Sequence, residues 1–168
     1  MSTLPGKLKE IRGKYFVLGD MYFSIFPYPI SEGVNTKNGI VGTLIGEDNC
    51  GIPIFYEPQS NNKCIYSLSL PYRGKHRWLK LQIADSFSAF IEACKLLESI
   101  SINRYSREEY NSNKLSLGEI NEFLGVIQKL NPNSNIYFWE NIFENIHPNY
   151  RVKHSTNKGI IINGRVIL

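Results

Sequence analysis

The chain has 168 residues, of which 42% are hydrophobic, 12% aromatic and 20% charged. That length is typical of one domain, and the apolar content excludes wholesale disorder. No apolar run approaches the roughly 20 residues that a membrane-spanning helix needs. The first residues lack the apolar core of a secretory signal, and the three cysteines form no pairing pattern. We therefore predict a cytoplasmic protein without a disulfide framework or membrane association.

Charge is unevenly distributed along the chain, whose net charge is +4. Residues 1–85 hold ten Lys or Arg against seven Asp or Glu, residues 86–146 hold five against eight, and residues 147–168 hold four against none. A basic sheet region and tail on either side of an acidic helical segment favour binding to a charged partner. The alternative interpretation is that these charges lie on ordinary solvent-exposed faces and bind no partner.

The N-terminal third predicts strands. Residues 15–18 and 21–26 are expected to form a hairpin around Gly19 and Asp20. Pro27 and Pro29 are expected to end that hairpin, because proline cannot donate a hydrogen bond to the neighbouring strand. A strand over residues 40–45 follows a polar turn.

Residues 42–97 carry the clearest pattern, which is three short strands followed by a helix. Apolar residues alternate with a period of two, which is typical of a sheet with one buried face. One face of the strands carries Cys64, Tyr66, Leu68 and Leu70, and another carries Leu79, Leu81 and Ile83. After Asp85 the spacing becomes helical, with apolar residues at Phe87, Phe90, Ile91, Cys94 and Leu97. Asp85 or Ser86 can cap this helix, since a short side-chain oxygen accepts from a free N–H of the first turn.

Helices are predicted over residues 86–101, 117–130 and 136–146. Capping boxes are expected at Ser106 with Glu109 and at Ser116 with Glu119. The apolar stripe of the second helix comprises Leu117, Ile120, Phe123, Leu124, Ile127 and Leu130. The third helix is apolar nearly all round, so it is either buried beneath a C-terminal hairpin or docked on a partner.

These elements predict a single α+β domain with a mainly antiparallel or mixed sheet, helices packed on one face and a C-terminal hairpin. Asn163 and Gly164 are the preferred pair for a two-residue hairpin turn, since both positions need a positive φ. The chain shows no internal repeat and no linker that would divide it.

Two surfaces are candidate partner-binding sites. One is a basic turn around Arg73, Arg77 and Trp78, which could grip phosphate and stack a base or contact a protein; a solvated turn is the alternative. The other is an acidic surface with the carboxylates Glu108, Glu109, Glu119 and Glu122. The histidines and cysteines show no activating or metal-binding spacing, so we predict no catalytic centre, no metal and no cofactor.

Three segments resemble the SUKH superfamily. Residues 46–55, GEDNCGIPIF, look like its glycine-to-strand passage, and residues 64–66, CIY, resemble its following strand. Residues 83–91, IADSFSAFI, resemble its signature of an alanine, then Ser-Phe, then a second aromatic residue. The resemblance implies one SUKH-like domain over residues 1–168, with residues 103–168 as a divergent C-terminal extension.

That superfamily includes yeast cell-wall-assembly regulators and many bacterial immunity proteins. The resemblance therefore implies a cytoplasmic immunity protein that neutralises a cognate toxin by occlusion. The alternatives are a non-catalytic regulatory or scaffold module and a nucleic-acid-binding protein that uses the basic turn.

Overall fold

Six strands form one antiparallel sheet whose spatial order follows the chain. The computed structural model describes residues 5–35, 41–58, 61, 63–69, 79–153, 160–162 and 165–167. A 3₁₀ helix, Gly6–Ile11, precedes the sheet strands β1 Tyr15–Leu18, β2 Met21–Asn35, β3 Val41–Asp48, β4 Pro53–Tyr56, β5 Ile65–Ser69 and β6 Leu79–Ala84. The helices are α1 Phe87–Ser101, α2 Arg107–Ser112, α3 Leu117–Leu130 and α4 Tyr137–Ile146, and a small hairpin pairs β7 Ile160–Ile162 with β8 Arg165–Ile167. The predicted α+β class is confirmed.

The first hairpin turns at Gly19 and Asp20, as the sequence predicts. Their φ values are 56° and 71°, the positive pair that a tight two-residue turn requires. A Cβ on Gly19 would also lie 3.1 Å from Ile146 and 3.3 Å from Tyr110, so a side chain there would be tight against both as well as strained by the positive φ.

Strand β2 does not end at the prolines, and that prediction is wrong. The strand continues to Asn35, with register shifts between Ile25 and Ile30 and again before Val34. Pro27 and Pro29 lie inside the first irregular stretch, where the ladder to β3 is interrupted. A proline costs no hydrogen bond there, because no partner strand requires its N–H.

Both faces of the sheet carry buried apolar side chains. Residues such as Ile65, Leu81 and Ile83 belong to the main core on the helix side. The opposite face holds a second cluster of Phe55, Cys64, Tyr66 and Leu68. The predicted alternation is therefore confirmed for Cys64, Tyr66 and Leu68 and for Leu81 and Ile83, and around β4 and β5 the sheet is buried on both faces where the sequence indicated one. Leu70 lies outside the described residues.

Helix α1 begins at Phe87 because the Ser86 hydroxyl accepts a hydrogen bond from the N–H of Ala89 at 3.0 Å. Its predicted inner face is confirmed, since five apolar side chains are 5% exposed or less: Phe87, Phe90, Ile91, Cys94 and Leu97. Ser86, and not Asp85, is thus the cap. The helix packs against β1, β6 and the 3₁₀ helix.

The later helices fall where the capping signals predict them. Both capping boxes are formed, with Ser106 and Glu109 at α2 and with Ser116 and Glu119 at α3. The predicted stripe of α3 is wrong at Leu117, which is 41% exposed because it occupies the first position of the helix.

Helix α4 is buried in the main core between β2 and α3. Trp139 is inaccessible, stacks edge-on against Phe23 and Phe123, and donates its indole N–H to the carbonyl of Ile83 at 3.2 Å. The aromatic crowding of α4 is therefore core packing with α3 and the sheet, whereas β7 lies beside β6. No helix in the described part of the chain is long and apolar enough to cross a membrane.

A polar network fixes the loop after α3 to the start of α1. The Asp85 carboxylate accepts hydrogen bonds from the Asn133 main-chain N–H at 3.1 Å, the Asn133 side chain at 3.0 Å, Gln82 at 3.2 Å and the Ser134 hydroxyl. The N–H of Asp85 donates to Asn131 at 2.8 Å. Four of these five hydrogen bonds join Asp85 to the loop after α3, and the fifth, from Gln82, is local to the end of β6.

Candidate protein-binding surface

Two tyrosines on the first hairpin point away from the core. Because side chains alternate along a strand, Phe16 and Leu18 of β1 enter the core while Tyr15 stays 68% exposed. Tyr22 on β2 is 39% exposed, and its ring centre lies 6.0 Å from that of Tyr15. The hairpin therefore presents a tyrosine pair to solvent.

The segment after α1 adds two more exposed side chains beside this pair. Ile102 is 58% exposed and Tyr105 is 52% exposed. Main-chain hydrogen bonds hold the segment against the hairpin turn, from Gly19 to the Arg104 carbonyl at 2.7 Å and from Asp20 to the Tyr105 carbonyl at 3.1 Å. We call Tyr15, Tyr22, Ile102 and Tyr105 the tyrosine surface.

A groove of about 500 Å³ runs between β1 and the C-terminal half of α1. Three members of the tyrosine surface line it, together with Phe16, Val17, Lys95, Glu98, Ser99 and Ser101. The ion pair of Lys14 with Glu98, at 3.3 Å, lies where β1 begins. Tyr105 lies near the other end of β1, because its carbonyl contacts the hairpin turn.

A second recess of about 250 Å³ is lined by Tyr22. Its lining also includes Tyr137 and Phe138 from α4 and Asn49 from the turn between β3 and β4. That turn is held by Asp48, whose carboxylate accepts from the main chain of Cys50 at 2.8 Å and Ile52 at 2.9 Å. The tyrosine surface thus contributes to two concave surfaces, with Tyr22 in the recess and its other members in the groove. Exposed tyrosines beside recesses are typical of sites that carry most of the energy of a protein complex.

The four predicted acidic residues are all exposed, on α2 and α3. Glu109 accepts from the main-chain N–H groups of Tyr105 at 2.7 Å and Ser106 at 3.2 Å. Glu119 closes the capping box of α3, and its hydrogen bonds with Ser116 lower the pKa of its carboxyl. Glu108 and Glu122 form no hydrogen bond or ion pair with another described residue. Two of the four are therefore helix caps, and two are free to meet a partner.

Cations interrupt the acidic segment. A shallow recess of about 540 Å³ between α2 and the end of α4 is lined by Arg107, Lys114 and Arg151 around a single carboxylate, Glu144. Arg107 also donates to the carbonyl of Asn145 at 3.0 Å. The helices thus present acidic and basic patches side by side.

The predicted basic turn with Arg73, Arg77 and Trp78 lies outside the described residues. Lys80, on the strand that follows, forms an ion pair with Glu57 and lies 4.7 Å from the centre of the Tyr66 ring. The cation nearest to that turn in the described part of the chain is therefore already paired.

Chemically active side chains are scarce in the described residues. No three or more His, Cys, Asp or Glu among them are placed to hold a metal ion. His147 is buried, and its Nδ1 accepts from the N–H of Asn149 at 3.2 Å. Burial raises the pKa of the Cys64 and Cys94 thiols, which disfavours the reactive thiolate. His76 and His154 lie outside the described residues.

The sequence analysis missed the tyrosine surface, although a signal for it was present. In Tyr15-Phe16-Val17-Leu18 both alternating sets are apolar, so one set had to face away from the core of a two-layer fold. The Asp85 network was also missed. The run Asn131-Pro132-Asn133-Ser134-Asn135 indicates a turn, but not what the turn contacts.

No protein-family model matches the chain, and the comparisons with curated proteins and with solved structures found no match either.

Proposed function

We propose that this chain is a cytoplasmic immunity protein that binds a cognate bacterial toxin and blocks it by occlusion, as in contact-dependent growth inhibition. The observation that carries the proposal is the tyrosine surface, whose members line two recesses. Tyrosines contribute large contact areas at low entropic cost and dominate many protein interfaces. The resemblance of residues 42–97 to SUKH proteins supplies the class of partner.

The free acidic residues support the same proposal. Glu108 follows Ser106 on α2, and Tyr105 directly precedes that cap. Complementary charge around an apolar contact accelerates association and excludes wrong partners. If the toxin is a nuclease, its basic substrate cleft is a match for Glu108 and Glu122. For a toxin with an acidic surface, the basic turn with Arg73, Arg77 and Trp78 is the better match.

The test is growth of bacteria that express the toxin encoded beside the gene of this chain, with and without the chain. We expect wild type to restore growth and the double variant Tyr15→Ala/Tyr105→Ala to lose protection. Tyr28→Ala is the matched control, because Tyr28 is 61% exposed but lines neither recess. Folding of each variant is checked by thermal unfolding.

A second pair of variants distinguishes the contribution of charge to protection from the contribution of apolar contact. Glu108→Lys/Glu122→Lys should weaken protection against a nuclease toxin, and Arg73→Glu/Arg77→Glu should leave it unchanged. A folded wild-type chain that gives no protection contradicts the proposal. Binding to a non-toxic protein would favour the scaffold alternative, and salt-sensitive binding to RNA or DNA would favour the nucleic-acid alternative.

A further inference from the structure

Strand β1 has a free edge in the described part of the chain. It pairs with β2 alone, and the ladder alternates. Ile25 donates to the carbonyl of Lys14 at 2.9 Å, so the residues that bond to β2 are Lys14, Phe16 and Leu18. The main-chain N–H and C=O groups of Tyr15 and Val17 therefore point away from β2. No other described main-chain group forms a hydrogen bond with them.

The free edge opens into the groove between β1 and α1. The groove has a volume of about 500 Å³ and is open to solvent. A four-residue strand about 13 Å long, about 4.8 Å wide and about 10 Å thick occupies roughly 600 Å³. One extended segment would therefore fill the groove and remain partly exposed to solvent.

Natural sheets commonly protect a free edge with charge, a proline or a covering element. Here the side chains that accompany the free main-chain groups are Tyr15 and Val17, which are apolar or aromatic, and Tyr105 and Ile102 extend the apolar wall. The charged side chains of the groove are already paired, Lys95 with Glu10 at 3.1 Å and Glu98 with Lys14 at 3.3 Å. The groove thus suits an uncharged, extended segment with alternating apolar side chains.

A second copy of this chain would have to bring its own α1 to the groove together with its β1, since α1 packs against β1. A single extended segment of a different protein carries no such helix. Strand addition at a sheet edge is a common mode of peptide recognition, in which main-chain hydrogen bonds supply affinity and flanking side chains supply specificity.

We propose that the partner docks by adding an extended, apolar strand to β1, where it hydrogen-bonds to the main chain of Tyr15 and Val17. The inference rests on the proposed function and defines how the toxin is held. The added strand lies in the groove along the free edge of β1, beside the C-terminal half of α1, with alternate side chains against Tyr105 and Ile102.

The experiment is amide hydrogen exchange of the chain, free and in complex with the purified toxin domain encoded by the neighbouring gene. In the free chain the Tyr15 and Val17 amides should exchange quickly and those of Phe16 and Leu18 slowly. In the complex both fast amides should slow by at least about tenfold, because a hydrogen-bonded amide exchanges only through opening. A complex that forms while both amides still exchange quickly overturns strand addition and leaves the proposed function intact.

A substitution gives an independent readout. Val17→Pro removes the N–H that points into the groove but no hydrogen bond to β2, and it should raise the Kd for the toxin domain about tenfold, as expected for one lost hydrogen bond. Val17→Ala keeps that N–H and therefore loses no main-chain hydrogen bond, so its Kd should stay within about threefold of the wild-type value. A folded Val17→Pro variant with the same Kd as wild type overturns the inference. It is also overturned if both amides are already protected in the free chain because the chain self-associates, which sedimentation would detect. Absence of any complex removes the proposed function, and the inference with it.

Discussion

Glu109 holds Tyr105 in place, because its carboxylate accepts the main-chain N–H of Tyr105 at 2.7 Å and that of Ser106 at 3.2 Å. The sequence indicated Glu109 as a charge for a partner, whereas the structure places it behind the aromatic side chain that a partner would contact. The same loop is fixed on its other side by the hairpin turn, since Asp20 donates to the Tyr105 carbonyl at 3.1 Å. Tyr105 is thus an exposed ring on a restrained backbone, which limits the entropy lost on binding.

Glu109→Ala should lower the free energy of unfolding by about 1 kcal/mol, since it removes one half of a capping box. Glu108→Ala is the matched control, because Glu108 is exposed on the same turn and bonds to no other described residue. Its effect should stay within about 0.5 kcal/mol. Urea unfolding measures both values, and equal effects would show that the contact of Glu109 with Tyr105 contributes nothing to stability.

Asp85→Asn should destabilise the protein by about 2–4 kcal/mol. The amide keeps one acceptor oxygen and presents an N–H₂ group in place of the other, so either the two Asn133 donors or those of Gln82 and Ser134 lose their acceptor. A double-mutant cycle with Ser134→Ala should show coupling, because the Ser134 hydroxyl donates to the same carboxylate. Additive effects in urea unfolding would contradict a shared network.

Phe90→Ala should lower the free energy of unfolding by about 3–5 kcal/mol, because Phe90 is inaccessible and packs against Phe23 and Trp139. Leu117→Ala is the control, a large apolar helix residue that is 41% exposed. It should cost less than about 1 kcal/mol. A near-neutral result for Phe90→Ala would contradict the packing of α1 on the sheet.

Acid should remove the stabilisation that Glu119 provides. Hydrogen bonds from Ser116 lower the pKa of Glu119 in the folded chain, so its contribution is complete above the pKa of the unfolded chain. That contribution is lost as the pH falls through the lowered value. Thermal unfolding should therefore give wild type a higher Tm than Glu119→Gln at pH 7. The difference in Tm should shrink in acid. A difference that is constant with pH would exclude the charge of Glu119 as its source.

Local signals predicted most of the fold. Ser86, Ser106 and Ser116 begin helices because a cap acts within one turn, and period two separated the Cys64 and Leu81 faces because side-chain direction is a property of the strand itself. These local signals failed where the structure depends on residues that are distant in the sequence. Pro27 sits in an interrupted ladder that depends on the pairing of β3, and Asp85 is bound by a loop more than forty residues later.

The candidate site was the harder part for the same reason. Charge is visible in the sequence, so Glu108, Glu109, Glu119 and Glu122 could be named as candidates, although their charge alone did not separate the caps Glu109 and Glu119 from the other two. The exposure of Tyr15 depends on which strand becomes the edge of the sheet, and the groove exists only because α1 folds back beside β1. Neither fact is encoded within a short window of residues.

Site-specific photocrosslinking shows whether Tyr105 lies in the interface with the toxin. Benzoylphenylalanine replaces Tyr105 in one preparation and Tyr28 in another, and each is irradiated with the toxin domain encoded by the neighbouring gene. The account predicts a crosslinked product from position 105 and none from position 28, with the product lost on addition of excess unlabelled wild-type chain. A complex that crosslinks from position 28 but not from position 105 would contradict it.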